Sequence, residues 1–127
     1  MSARVELAEG IAAGLPAGSR VSVYPYPADL VKAPAVVIRP GDPYLEPSTY
    51  DRRRVNLEVD VIVPRTRVED QLTALEELID TVLSAIAADP RSRRFQWEQV
   101  SAPGELTQGD IAYLGSTITT YTALEGS

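Results

Sequence analysis

The side chains best equipped for chemistry are carboxylates that come in groups. Glu58 and Asp60 stand two residues apart, on one face if their segment is a strand, and Glu76, Glu77 and Asp80 share one helical stretch. Grouped carboxylates do acid and base work when a neighbour or an apolar pocket separates their pKa values. The sequence supplies no such neighbour, so both groups read as solvated faces and no catalytic residue is assigned. The 127 residues include no histidine and no cysteine. That excludes Ser-His-Asp chemistry, histidine metal sites, thiolate zinc, disulfides and a cysteine nucleophile. Gly41-Asp42 lacks the Gly-rich spacing and the Lys-Ser or Lys-Thr pair of a phosphate loop. Asp42, Glu46 and Asp51 lack the dense alternation and central glycine of an EF-hand loop. No cofactor and no metal is expected, and the chain does not read as an enzyme.

Binding chemistry is better represented. Arg52-Arg53-Arg54 is a compact basic cluster, and Arg91, Arg93 and Arg94 form a looser one. Nucleic-acid contact is one reading of them. A formal charge of −6 opposes it for the surface as a whole, because affinity for phosphate backbones comes mainly from basic side chains displacing counterions. Aromatics are not interleaved as on a stacking platform for single strands. Arginines that open a strand also serve as edge charges and as partners for acidic neighbours in an oligomer, and this second reading carries more weight. Lys32 is the one lysine among 12 basic residues, a bias that fits GC-rich coding and a high-GC host.

Two tyrosine-proline motifs add contact area at low entropic cost, a property that interfaces favour. Tyr24-Pro25-Tyr26-Pro27 reads equally as a contact or as a cover folded over the domain's own core. Asp42-Pro43-Tyr44-Leu45-Glu46-Pro47 reads as a contact, with Tyr44, Leu45 and Tyr50 as its candidate residues.

These groups need a scaffold, and 127 residues fit one domain able to bury a real core. Val5, Ala8, Ile11, Ala12 and Leu15 recur at helical spacing, after a possible Ser2 cap and before Gly14 and Pro16-Ala17-Gly18. Arg20 to Tyr24 alternates as a strand, and Ala35 to Ile38 is a short apolar strand between prolines. Arg39 to Asp51, with three prolines past Arg39 and one glycine, is expected to be an irregular loop. Val55, Leu57, Val59, Val61 and Val63 then alternate with Arg54, Asn56, Glu58 and Asp60, which predicts one core face and one wet face.

Thr66-Arg67-Val68-Glu69 offers a capping box for the principal helix. Val68, Leu72, Leu75, Ile79, Val82 and Ile86 repeat at four-three spacing, widened by Leu78 and Leu83, and the helix ends near Asp89-Pro90. Arg94 to Val100 alternates, with Phe95 and Trp97 on one face. A loop from Pro103 to Gly109 follows, and Ile111 to Leu124, rich in Thr and Tyr, completes an antiparallel hairpin. The expected fold is α+β, in the order α-β-β-β-α-β-β. Its mostly antiparallel or mixed sheet packs on one long amphipathic helix and a shorter N-terminal one. No stretch approaches the ~18 apolar residues of a membrane helix, and Glu6 and Glu9 interrupt any signal-like run, so synthesis in the cytoplasm and no membrane contact are expected.

Over essentially its whole length this pattern resembles the tail terminator proteins of long-tailed phages. The resemblance is carried by the order of elements and by Val-Tyr-Pro-Tyr-Pro at 23–27, Pro-Gly-Asp-Pro-Tyr-Leu at 40–45 and Val-Asn-Leu-Glu-Val-Asp-Val-Ile-Val-Pro at 55–64. It implies a virion protein of the neck that assembles as a hexameric ring on the head-proximal end of the tail tube. The ring ends tube growth and meets a head-closure or connector protein on its other face, while DNA passes through the lumen without specific binding. The resemblance supplies no map of a binding site. From charge, Arg52, Arg53 and Arg54 are expected to face Glu76, Glu77 or Asp80 of the next subunit. Another neck component, an adaptor or a stopper, is the alternative within this class, although adaptors are dominated by helices. A small ligand-binding module is the alternative outside it.

Overall fold

A computed structural model describes residues 3–27, 31–47, 52–108 and 111–125. Along the chain come α1 (Ala3–Ala13), β1 (Ser22–Tyr24), β2 (Ala35–Pro47), β3 (Arg52–Val63), α2 (Val68–Ala88), β4 (Gln96–Val100), β5 (Gly104–Gln108) and β6 (Ile111–Glu125). The fold is α+β, as the pattern predicts, with one strand more than expected. The strands form one mixed sheet in the order β1-β2-β3-β6-β4, with β5 also paired to β6. β1 runs parallel to β2 and every other pairing is antiparallel. β4 and β5 lie end to end along β6, β5 opposite residues 111–115 and β4 opposite residues 118–121.

The core lies between the sheet and the two helices. Val55, Leu57, Val59, Val61 and Val63 of β3 are all buried, in one cluster with Leu75, Leu78, Val82 and Ile86 of α2 and Leu7 and Ile11 of α1. Alternation on β3 and four-three spacing on α2 therefore meet as predicted, with Ile79 and Leu83 packed partly buried at the margin. The first two turns of α2 depart from the prediction: Val68 is 71% and Leu72 37% exposed. Residues 64–67 are all exposed, and the helix enters the core only at Leu75. The capping box is also absent. Arg67 is the N-cap, without a side-chain cap bond, and the Thr66 hydroxyl donates instead to the Arg67 carbonyl at 3.4 Å. Glu69 and Asp70 still place negative charge in the first turn, where it complements the helix dipole.

In α1 the buried residues are Ala3, Leu7, Ala8, Gly10 and Ile11, so Leu7 takes the core place expected of Ala12, which is exposed. The expected Ser2 cap lies outside the described residues. Gly10 lets α1 approach the turn after α2: a Cβ there would stand 2.2 Å from Ser92 Oγ.

Two segments expected as loops are strands. β2 continues through Pro40 and Pro47, paired to β3 with a break in register between Pro40 and Leu45. Prolines are tolerated because β1 covers only Ala35–Val37; beyond that point the other side of β2 is an edge, where a missing N–H breaks no ladder bond. β5 occupies most of the expected 103–109 loop, and the two-residue connection from Gln108 to Ile111, Gly109-Asp110, is the turn signal that predicts such a hairpin. Phe95 is buried, but Trp97, on edge strand β4, is half-exposed.

The face of β3 expected to be wet is only partly so. Asn56 and Asp60 are buried there, and Ile62 joins Val31, Ala35 and Val37 in a second small apolar cluster. On the helix-facing side, Ser116 pairs with Val61 and is fully buried, and its hydroxyl has no hydrogen-bond partner among the described residues. An unpaired buried hydroxyl carries a desolvation cost of about 1–3 kcal/mol. Ser116→Ala is therefore expected to raise the melting temperature by a few degrees, measured by calorimetry.

Candidate assembly interface

Past Ile38, β2 and the start of β3 form an arm whose shape is set by one asparagine. The register break leaves residues 41–44 opposite Asn56 alone. Asn56 Nδ2 donates to the Pro43 carbonyl at 2.9 Å and to Glu46 Oε1 at 2.6 Å, and Asn56 Oδ1 accepts from Arg54 Nε at 2.8 Å. Gly41 lies so close to this residue that a Cβ would meet Asn56 Cβ at 2.9 Å. Gly41, which lacks the setting of a phosphate loop, thus permits close backbone approach.

The arm presents Tyr44 and Leu45, each 44% exposed, as expected of contact residues. Tyr50 lies outside the described residues. Arg52 and Arg53 are exposed and form no ion pair with another described residue. Arg54 behaves differently from its two neighbours. It pairs with Glu98 and, at 3.8 Å, with Glu46, and its guanidinium lies 4.0 Å from the centre of the Tyr121 ring. The three arginines are therefore two surface cations and one engaged inside the subunit.

Glu76, Glu77 and Asp80 are exposed on α2. From Val68 to Ala88 this helix carries five acids and no base, and none of the five forms an ion pair with a described residue. No described ion pair joins the arm to α2, so these opposite charges do not meet within one subunit.

The Glu58 and Asp60 pair is organised around Arg39. Arg39 Nε donates to Asp60 Oδ2 at 2.8 Å, Thr117 Oγ1 donates to Asp60 Oδ1 at 2.7 Å, and Glu58 also contacts the Arg39 guanidinium. The Asp60 hydrogen bond, helped by the charges of Asp60 and Glu58, raises the Arg39 pKa above its ordinary value against the opposing effect of burial. Two carboxylates that share one guanidinium form a structural pair. Among the described residues, no three His, Cys, Asp or Glu side chains gather as metal ligands, and no helix is long and apolar enough to cross a membrane.

At the far end of α2, Arg91 donates from Nε and from its backbone to Asp89 Oδ1, both at 2.9 Å. The side-chain bond, with the backbone bond second, lowers the Asp89 pKa from 3.8 to about 2. A lowered folded value gives stability that is present above pH 3.8 and lost as pH falls through about 2. In a carboxyl NMR titration, Asp89 is expected to have its midpoint near 2, and Arg91→Ala to return it towards 3.8.

Tyr26, Val68, Leu72, Trp97 and Ile111 are further exposed apolar side chains. No protein-family model and no curated protein matches this chain.

Proposed function

We propose that the chain is a ring subunit of the neck of a tailed phage, which caps the head-proximal end of the tail tube, ends its growth and joins tail to head. The observation that carries this reading is a pair of complementary surfaces that do not meet within one subunit: an arm with exposed Tyr44, Leu45, Arg52 and Arg53, and a helix with five acids and no base. Contacts of that kind run head to tail between copies, and they close into a ring when the rotation per subunit divides the circle. The element order and motifs shared with tail terminators supply the rest of the reading, including the tube and head-closure partners.

Charge fits the same assembly. Six copies at −6 each gather about 36 negative charges, and such repulsion opposes association unless opposite charges meet at the contacts. Acids left facing the lumen repel phosphates within a Debye length of ~8 Å and leave the genome free to slide.

The test is a pair of variants. Tyr44→Ser/Leu45→Ser removes side chains that belong to neither core cluster, so its melting temperature should change far less than on a core truncation. It should fail to form rings by light scattering and fail to limit tube length by electron microscopy. Arg52→Glu/Arg53→Glu should also block rings, with partial recovery when Glu76 and Glu77 are reversed to lysine. Rings of normal size from both variants would overturn the contact, and wild-type protein that neither multimerises nor limits tubes would overturn the function.

A further inference from the structure

We infer that the apolar groove between the end of α1 and the middle of α2 receives the Tyr44–Leu45 arm of a second copy of this chain. The inference rests on the ring reading and names the contact that builds the ring. Leu15, Pro16, Val21, Val63, Ala74 and Leu78 line an open groove of about 350 Å3, with Glu77 and Thr81 on its α2 wall. That volume lies within the range of ~300–1,000 Å3 typical of binding pockets, and the lining offers a large side chain an apolar seat.

Arm and groove match in composition and in order. On the arm, Glu46 pairs with Arg54 and Pro47 with Arg53, so Arg53 and its neighbour Arg52 stand near the apolar Tyr44 and Leu45. At the groove, the apolar lining stands beside Glu77, with Glu76 and Asp80 on the same helix. Seating the apolar pair therefore brings two cations towards a helix without any base.

The two ends cannot meet within one molecule. Val63 lines the groove and Arg53 lies on the arm, at opposite ends of β3. Ten residues of strand separate them by ~33 Å. A rigid strand of that length holds the arm away from its own groove and directs it to the next copy. The contact uses different surfaces on its two sides, which is the heterologous geometry of rings.

The absence of cysteine allows a direct test. A disulfide needs Cβ atoms about 3.5–4.5 Å apart. Leu45→Cys and Ala74→Cys on separate molecules are expected to join as a dimer under mild oxidation. Placed on one molecule, they should give a ladder that stops at the closed ring. Leu45→Cys with Ser84→Cys, exposed on α2 ten residues further on, is the control, and the first pair should cross-link at least tenfold faster. Ala74→Trp, which fills the groove from an exposed helix position, should abolish rings with little change in melting temperature. Equal cross-linking of both pairs, or rings from Ala74→Trp, overturns the inference. Rings from the wild-type chain together with no cross-link between Leu45→Cys and Ala74→Cys overturn it and leave the ring reading standing. Failure of the wild-type chain to multimerise with or without tail tubes removes both.

Discussion

Leu75→Ala is expected to lower the melting temperature by about 10 °C, the largest loss from any single truncation considered for this chain. Leu75 is fully buried, in the cluster where α2 meets Val59 and Val61 of β3. Removing its three terminal carbons loses their transfer energy and leaves a cavity that the rigid strand and helix cannot close. Such changes cost about 2–5 kcal/mol, a large share of the ~5–15 kcal/mol that holds a domain folded. The same helix provides its own controls. Ile79, partly buried at the margin, should lose less on truncation, and Leu72, 37% exposed, should lose under about 1 kcal/mol. Equal losses at Leu72 and Leu75, measured by calorimetry, would contradict the entry of α2 into the core at Leu75.

Gly10→Ala should destabilise the fold, against the usual sign for this substitution. Within an exposed helix interior, alanine is favoured over glycine by about 1 kcal/mol. Here the new Cβ would stand 2.2 Å from Ser92 Oγ and 2.4 Å from Ser92 Cβ. Ser92 cannot swing away cheaply, since it is fully buried and its hydroxyl donates to the Ile86 carbonyl at 3.0 Å. Overpacking of this kind costs about 1–3 kcal/mol and would also push α1 off the core that holds Leu7 and Ile11. Ser92→Gly in the same chain should recover part of the loss by vacating the space. Urea midpoints at unchanged slope give the readout, and a stabilised Gly10→Ala would show that α1 and the Ser92 turn are not in close contact.

The parts of the fold that sequence revealed are those governed by local periodicity. β3 alternates from Val55 to Val61 and α2 repeats at helical spacing, so most of their facing residues could be named from Val55 to Ile86. What stayed hidden depends on neighbours distant in sequence. Asp60 reads as a solvated acid until the β2–β3 register brings Arg39 beside it and β6 adds Thr117. Val68 and Leu72 fit the heptad as well as Leu75 does, yet only the path of residues 64–67 decides which turns reach the core. Pro40, Pro43 and Pro47 argue for a loop by composition, and that argument fails because the outer side of β2 has no strand to pair with there.

The candidate interface shows the same division. Tyr44 and Leu45, set among prolines, stand out as candidate contact residues from type and spacing, and both are exposed. Arg54 could not be told from Arg52 and Arg53, since its partners Glu98 and Tyr121 come from β4 and β6. The groove was invisible to any local pattern, because its lining comes from the segment between α1 and β1, the end of β3 and the middle of α2 together.

The prolines of β2 also govern what happens before any assembly begins. An open strand edge is a template on which other chains add as cross-β aggregates. Beyond Val37, β2 offers such an edge, but Pro40, Pro43 and Pro47 remove donors from it and the register break bends it. The opposite edge is broken as well, by the shift between Trp97 and Gln99 and by the charges of Glu98 and Glu105. Replacing the three prolines would restore backbone donors to this open edge, and the expected product is fibrillar precipitate. The chain is thus built to stay colloidally quiet, with its backbone edges closed to the strands of other chains.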